Sequence, residues 1–458
     1  MANTDGTWQE KAPHPKDDPG TIRAWCMYDW ANSAYSLNIT SSIFPAYYQA
    51  VTKNQATGDA VSFFGIEIVN TVLYTYALSF AFLCVVGISP LLGGIADHFG
   101  RKKLFMKVFC TLGAFACMGL FFFTGKNVEW GIGMVILAAI GYAGSLVFYN
   151  AFLPIIASPS QIDKVSAQGF SYGYIGSVLL LIVNIAMLMQ PAWFGIPAED
   201  GGLAPRISFL MVGMWWIGFA QYTFLRLPES KPHTPMAQTG TLSAGFLELK
   251  KVWERVKQMR TLKRFLFSFF AYSMGMQTVM YVATLFGKKE FHLDTGELIT
   301  VVLILQIVAV LGAYLAARLS QKVGNLMALV LIVCVWIGIC LGAYGMQNGT
   351  HFYILAAVVG LVMGGIQALS RSTYSKYIPE DTHDHASFFS FYDIVEKLAI
   401  VFGTFSYGLV EQVTGNMRNS VLALGMFFLV GLFFLLRARK SSFQEPLFDG
   451  NVSHPTQH

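Results

Sequence analysis

The chain has 458 residues, 54% of them hydrophobic and 12% charged, with a net charge of +5. Soluble domains are about 25% charged, so a soluble enzyme is disfavoured, and a dozen crossings of roughly 20 residues each explain the length better than about three globular domains. The small net charge indicates no nucleic-acid partner, and the six cysteines all fall in apolar stretches, where a thiol acts as a small hydrophobe rather than as part of a disulfide or zinc framework.

The first 22 residues mix acidic and basic groups with Pro13, Pro15 and Pro19 and lack the basic start and apolar run of a cleavable signal, so the first crossing is expected to be retained. Apolar segments follow at approximately 24–51, 70–96, 104–125, 131–156, 168–190 and 207–227, and then at 265–287, 298–317, 325–347, 351–377, 386–413 and 419–436. The expected fold is therefore an all-α polytopic membrane protein of twelve transmembrane helices in two six-helix halves. Its parts are a cytoplasmic tail at 1–23, an N-terminal bundle at 24–227, a linker at 228–264, a C-terminal bundle at 265–437 and a cytoplasmic tail at 438–458. Between Val323 and Ser370 there is no Asp, Glu, Lys or Arg, and GMQNGT at Gly345–Thr350 supplies the turn between two crossings.

With the N-terminus in the cytoplasm, most Lys and Arg fall on the cytoplasmic side; the other side holds Lys53, Lys126, Arg206, Lys288, Lys289 and Arg418. The positive-inside rule thus predicts that both termini are cytoplasmic. The linker opens with PESKPHTP and continues with Leu249, Val252, Trp253, Val256 and Met259 at helical spacing opposite Lys250, Lys251, Glu254, Arg255 and Lys257. This predicts a basic amphipathic helix, lying on the membrane face or binding a partner.

Internal repetition supports two halves. GYAGSLVFYNAFLPIIASP and GLVMGGIQALSRSTYSKYIP align with Gly144 on Gly364, Pro159 on Pro379 and, at the same offset, Tyr172 on Tyr392. Arg318 and Lys322 follow the eighth crossing much as Asp97 and Arg101 follow the second. A duplicated unit of this kind is expected of a parallel-repeat transporter with its site between the halves.

GGIADHFGRKK at Gly93–Lys103, between the second and third crossings, resembles the signature loop of the major facilitator superfamily, with Gly93, Asp97, Gly100, Arg101 and Lys102 in order. The resemblance implies that Asp97 caps the cytoplasmic end of the eleventh helix and latches that side closed. A carboxylate is favoured at a helix N-terminus and basic side chains suit the head-group region. YDWANSAY at Tyr28–Tyr35, FYNAFLP at Phe148–Pro154, QALSRS at Gln367–Ser372 and FFSFYD at Phe388–Asp393 narrow the resemblance to the fungal autophagy-related vacuolar amino-acid effluxers and their bacterial relatives. It implies a secondary transporter of a small polar or zwitterionic solute, an amino acid or related metabolite. Compact loops favour a bacterial inner membrane over a vacuole.

Asp29, Arg371, Asp393, Glu396 and Lys397 lie inside the spans, where a charge costs at least about 2.5 kcal/mol unless it is paired or wet. Asp393 and Lys397, four apart, can form an intrahelical ion pair or take part in gating. Arg371, near Gln367, can hold a substrate carboxylate or phosphate, or partner Asp393 or a lipid phosphate. Asp29 stands among Asn32, Ser33, Tyr35 and Ser36, and Asn150 joins them from the fourth span; Asp29 can couple transport to a proton, bind a substrate amine or serve a structural hydrogen bond. No cofactor or metal is expected, and DTHDH at Asp381–His385 reads as a solvated turn. A proton or another cation is the candidate coupling species. Gly169 and Gly173, Gly338 and Gly342, and Gly360 and Gly364 are expected to permit close helix packing. The expected partners are a small-molecule substrate and membrane lipids, with a monomer complete in itself. A lipid translocator and a non-transporting receptor or scaffold are the alternatives. The absence of a nucleotide-binding loop, GxSxG or HExxH argues against a pump or protease.

Overall fold

The structure, a computed structural model, describes residues 15–53, 58–197, 202–229, 241–380 and 382–442. Among the described residues ten helices are long and apolar enough to cross a membrane: α3 (Asn70–His98), α4 (Lys102–Gly119, extended by a 3-10 turn), α5 (Val128–Ala151, continued by α6, Leu153–Ile156), α7 (Ile162–Met189), α8 (Leu203–Arg226), α10 (Arg260–Phe291), α11 (Thr295–Val323), α12 (Asn325–Gly345), α13 (Gly349–Tyr377) and α15 (Met417–Ser442). The other two expected crossings are α14 (His385–Thr414) and an interrupted first element, in which α1 (Pro19–Ala34) passes through a π-helical stretch, Tyr35–Ser42, into α2 (Ile43–Thr52). These two carry Asp29, Asp393, Glu396 and Lys397. α14 is set apart from the other ten by its charged and polar side chains, and the first element by its interruption, which leaves α1 only 16 residues long.

The sequence predicts one unbroken helix over 24–51, and the π segment corrects that. Asn38 Nδ2 donates to the Ala34 carbonyl at 3.0 Å and to the Ser177 carbonyl at 3.4 Å, its Oδ1 accepts from Asn184 Nδ2 at 2.9 Å, and Ser41 Oγ donates to the Ser36 carbonyl. Side chains that compete for backbone carbonyls loosen the regular ladder. A second departure from the all-helical expectation is a hairpin, β1 (Ala60–Phe63) and β2 (Ile66–Val69), paired antiparallel with Phe63 opposite Ile66. Phe64 and Gly65 at its tip both have positive φ, as a two-residue turn of this hand requires.

The packing repeats. α1 lies against α7 and α8, α4 against α5 and α8, and α3 against α5; six crossings later, α10 lies against α14 and α15, α12 against α13 and α15, and α11 against α13. The halves meet along α3 with α14 and α7 with α11, two seams that exchange under the repeat. α9 (Thr241–Gln258) sits where the amphipathic pattern predicts a helix, and part of its apolar face is covered by the bundle. It packs on α3 and α14, with Val252 and Val256 buried and Trp253 stacked on Phe391 at 5.5 Å, so the connector lies across a seam between the halves. The PESKPHTP opening lies largely outside the described residues, as do the terminal tails beyond residues 15 and 442 and Asp381 of the DTHDH run.

The glycine pairs separate into two kinds. A Cβ on Gly360 or Gly364 would collide with the Leu305 or Ala309 carbonyl of α11, so α11 and α13 touch backbone to backbone there. Gly338 has open space around it and Gly342 meets only a distant Leu355 methyl, because that row of α12 faces away from its neighbours. Gly364→Val is therefore expected to lower stability by about 1–3 kcal/mol through overpacking, whereas Gly338→Ala should stay within about 0.5 kcal/mol of the parent. Thermal unfolding of the two variants in detergent checks this, and equal effects would contradict the packing.

Candidate functional site

A cavity of 170 Å³ lies between the halves, lined from the first by Asp29, Ser33, Ser36, Tyr142 and Asn150 and from the second by Gln277, Gln367, Arg371, Glu396 and Lys397. Arg371, 3% exposed, closes one end of it. It projects from α13 into the first half, where Nη1 donates to Asp29 Oδ2 at 3.2 Å and to Asn150 Oδ1 at 3.3 Å, Nε donates to Ser166 Oγ at 3.0 Å, and Nη2 donates to the Ser166 carbonyl at 2.9 Å. Its guanidinium plane lies 4.1 Å from the Phe170 ring centroid and 4.8 Å from that of Trp25. Asp29 Oδ2 also accepts from Tyr149 OH at 2.7 Å. Gly169 makes room for the pair: a Cβ there would stand 2.7 Å from Asp29 Oδ2 and 2.9 Å from Arg371 Nη2. The planar fork of arginine can meet this set of acceptors on α1, α5 and α7 at once, which a lysine could not.

The second charged group sits on α14. Lys397 Nζ lies 3.1 Å from Asp393 Oδ1 and 2.8 Å from Glu396 Oε2, and Glu396 Oε1 accepts from Gln277 Nε2 of α10 at 3.1 Å. The ion pair expected from the four-residue spacing is present, and Glu396 joins it. Among the described residues Asp393 Oδ2 has no hydrogen-bond partner, and neither has Asn32 Nδ2. Asn32 and Tyr35 stand apart from the cavity. Tyr35 is buried against Tyr142 and Trp216, with ring centroids at 5.0 and 5.8 Å. Gln367 lines the cavity and accepts from Tyr174 OH across the seam. Arg371 does not partner Asp393; its carboxylate is Asp29.

Beyond Arg371, towards the basic face at which α1 begins, two further clasps join the halves. Asp97, at the end of α3, accepts from the Ser387 N–H at 2.7 Å and the Ala386 N–H at 3.1 Å in the first turn of α14, the capping contact implied for it by the resemblance. Lys102 Nζ bonds Asp97 at 2.8 Å and the His383 carbonyl at 2.9 Å. Gly93 lets α14 approach, since a Cβ there would meet Ser390 Oγ and the Ala386 carbonyl; Gly100 supplies the turn at φ +62°, and Arg101 is exposed. The second clasp has no forecast in the sequence. Asp163, in the first turn of α7, accepts from Lys376 Nζ at 2.6 Å, Asn325 Nδ2 at 2.7 Å and Ser320 Oγ at 3.0 Å. It occupies the repeat-related seam, where Arg318 and Lys322, the matches suggested by alignment, are exposed instead. Ser390 Oγ to the Ser89 carbonyl and Ser166 Oγ to the Ala368 carbonyl add to the closure. All these contacts fall between the cavity and the basic face.

Of the residues that complete the site, Tyr149 lay inside the FYNAFLP string and Glu396 beside Lys397, so both were within reach of sequence reading. Ser166 and Gln277 carry no local signal. Residues 17–442 match the family described as "Vacuole effluxer Atg22 like". An uncharacterized MFS-type transporter, YxiO, of Bacillus subtilis is 31% identical over 90% of this chain and 93% of its own. The chain belongs to the Atg22-like family. Autophagy-related protein 22 of Kluyveromyces lactis is a further relative, 27% identical over 79% of this chain and 77% of its own. Among solved structures, the major facilitator superfamily transporter FucP in its outward conformation superposes with a TM-score of 0.67 at 13% identity over 92% of this chain and 99% of its own. The human organic anion transporter MFSD10 does so at 0.69 and 10% identity, over 92% of this chain and all of its own. The Atg22-like chain thus has the major facilitator fold; it is a multi-pass membrane transporter and not an enzyme.

Two outcomes follow from this geometry. Arg371→Gln or Asp29→Asn alone leaves a buried charge without its partner and should cost about 3–5 kcal/mol, whereas the double variant should recover most of the loss; a double-mutant cycle by thermal unfolding measures this, and additive losses would contradict the pairing. Asp97→Asn removes the charge that binds Lys102 and weakens the cap on α14. A cysteine at Ser89, otherwise sealed under Ser390, should then react faster with a polar maleimide in a background free of other cysteines, and unchanged labelling would speak against the latch.

Proposed function

We propose that the protein moves a small polar or zwitterionic solute, an amino acid or related metabolite, across the membrane by alternating access of its two halves. The observation that carries this is a charged cavity between the halves, closed at the basic face by Arg371 and the two clasps. At 170 Å³ it is smaller than the roughly 300–1,000 Å³ of drug-sized pockets, which favours a small occupant. Glu396 and Lys397 offer opposite charges to the two ends of a zwitterion, and Gln277 and Gln367 add uncharged polar groups. The positive-inside pattern and the match to a Bacillus transporter along nearly its whole length support a bacterial cytoplasmic membrane with both termini cytoplasmic.

Asp29 is the coupling candidate. It faces Arg371 of α13, Tyr149 of α5 and Gly169 of α7, so a proton on its carboxylate would remove the charge that holds Arg371 in the first half. Loading of Asp29 from the cavity would then loosen the closed face. A proton is the simplest coupling ion for this step, and no cofactor enters it.

Thermal-shift measurements on the purified protein against amino acids, peptides, nucleosides, sugars and lipids should find stabilisation by an amino acid or a close relative, by about 2.7 kcal/mol at a hundredfold excess over Kd. In proteoliposomes the same solute should accumulate under a pH gradient. Asp29→Asn should abolish that accumulation while retaining exchange. Stabilisation by lipids alone would favour an amphiphile translocator, and normal accumulation by the Asp29 variant would refute its coupling role.

A further inference from the structure

A second cavity, of 470 Å³, opens at the basic face where α1 and α7 diverge, apart from the central one. Two cations stand on it, Arg23 from α1 and Lys164 from α7. Both are exposed, and neither has an ion-pair partner among the described residues. The acid on its wall, Asp17, is already engaged, with Oδ1 accepting the Ser158 N–H at 2.9 Å. The α7 N-terminus has no side-chain cap. On the wall the two cations outnumber the one carboxylate.

What continues below the cavity is apolar. Lys164, Gln168 and Tyr172 of the wall succeed one another on one face of α7, and the same face carries on through Ile175, Leu179 and Ile182 at three- and four-residue steps. Those three are 44%, 45% and 48% exposed in the middle of a crossing, where the solvent is lipid. One helix face thus runs from cation through amide and phenol to bare aliphatic surface. Such a gradient matches a phosphate head with a hydrocarbon tail, whereas a soluble phosphate would use only the first part.

We propose that this cavity binds an anionic glycerophospholipid, with its phosphate between Arg23 and Lys164 and an acyl chain along Ile175, Leu179 and Ile182. Basic pockets between helices at the leaflet rich in anionic lipid are suited to this role. The bound lipid touches α1 and α7, the helices whose Asp29 and Ser166 receive Arg371, so it would brace the face that closes the central cavity.

The test is competitive retention by native mass spectrometry, with the purified full chain in detergent and equimolar phosphatidylglycerol and phosphatidylcholine. Each basic group near a phosphate contributes about 1 kcal/mol, so the parent protein should prefer phosphatidylglycerol on the order of tenfold, and the preference should vanish in Arg23→Gln/Lys164→Gln. Gln168→Trp, which fills the cavity without altering charge, should remove it too and covers the case in which the double variant does not fold. Lys250→Gln/Lys257→Gln, on the exposed side of α9, should leave it unchanged. Equal retention of the two lipids by the parent, or equal loss in the α9 control, would overturn the site. Glycerol 3-phosphate serves as the last arm: if it stabilises the protein in delipidated detergent as much as phosphatidylglycerol does, the ligand is a free phosphate and the lipid assignment fails.

Discussion

A charge buried in an apolar bundle needs a partner, and in this protein the partner of the deeply buried Arg371 lies in the opposite half. Arg371 belongs to α13, yet every polar contact traced for its guanidinium goes to α1, α5 or α7. Neutralising the charge and joining the halves are therefore one interaction. Pulling the halves apart at the basic face would strand Arg371 and Asp29 in a medium where each costs several kcal/mol, unless water enters as they separate. Opening of this face and hydration of the cavity are linked by that penalty.

The two clasps nearer the basic face solve one mechanical problem with inverted chemistry. At one seam the carboxylate of Asp97, in the last turn of α3, caps the helix α14. At the repeat-related seam the carboxylate of Asp163 belongs to the first turn of α7, and the end of α11 (Ser320), the start of α12 (Asn325) and Lys376 of α13 supply the donors. Duplication preserved the geometry of the contact and not the residues, because a hydrogen bond can be donated from either side. Both carboxylates are nearly fully buried, so both clasps are sensitive to loss of a single partner.

Polarity in the site is bought at the expense of regular transmembrane character. α14, which carries the Asp393, Glu396 and Lys397 group, falls outside the helices that are apolar enough to span alone, and the first crossing, which carries Asp29, is interrupted after the 16 residues of α1. The interior of the first crossing also departs from the α-helix, at the stretch where Asn38 binds Asn184 and the Ser177 carbonyl. Glycines give them their close seats: Gly169 and Gly173 of α7 receive α1, Gly93 of α3 receives α14, and Gly403 of α14 itself lets that helix approach Met274 and Thr278 of α10.

Local composition determined a great deal here. Long apolar runs have few ways to satisfy their backbone in lipid other than as helices, so ten crossings, the division into halves and the linker helix were legible from the chain. The loop at Gly93–Lys103 was legible because its residues are contiguous and its chemistry, a carboxylate near a helix start, is local. The ion pair of Asp393 and Lys397 followed from helical spacing alone. Which distant groups meet was decided only by tertiary packing. Asp29 and Arg371 are separated by most of the chain, and nothing in either segment distinguishes Asp29 from Asp393 as the partner; the close seat of α1 on α7 at Gly169 settles it. Periodicity likewise could not tell the glycines that touch a neighbouring backbone from those of α12 that face open space, nor show that α9 would bury Val252 and Val256 on the bundle rather than in the membrane. A helical pattern specifies which face is apolar, and only the assembled neighbours specify what that face will cover.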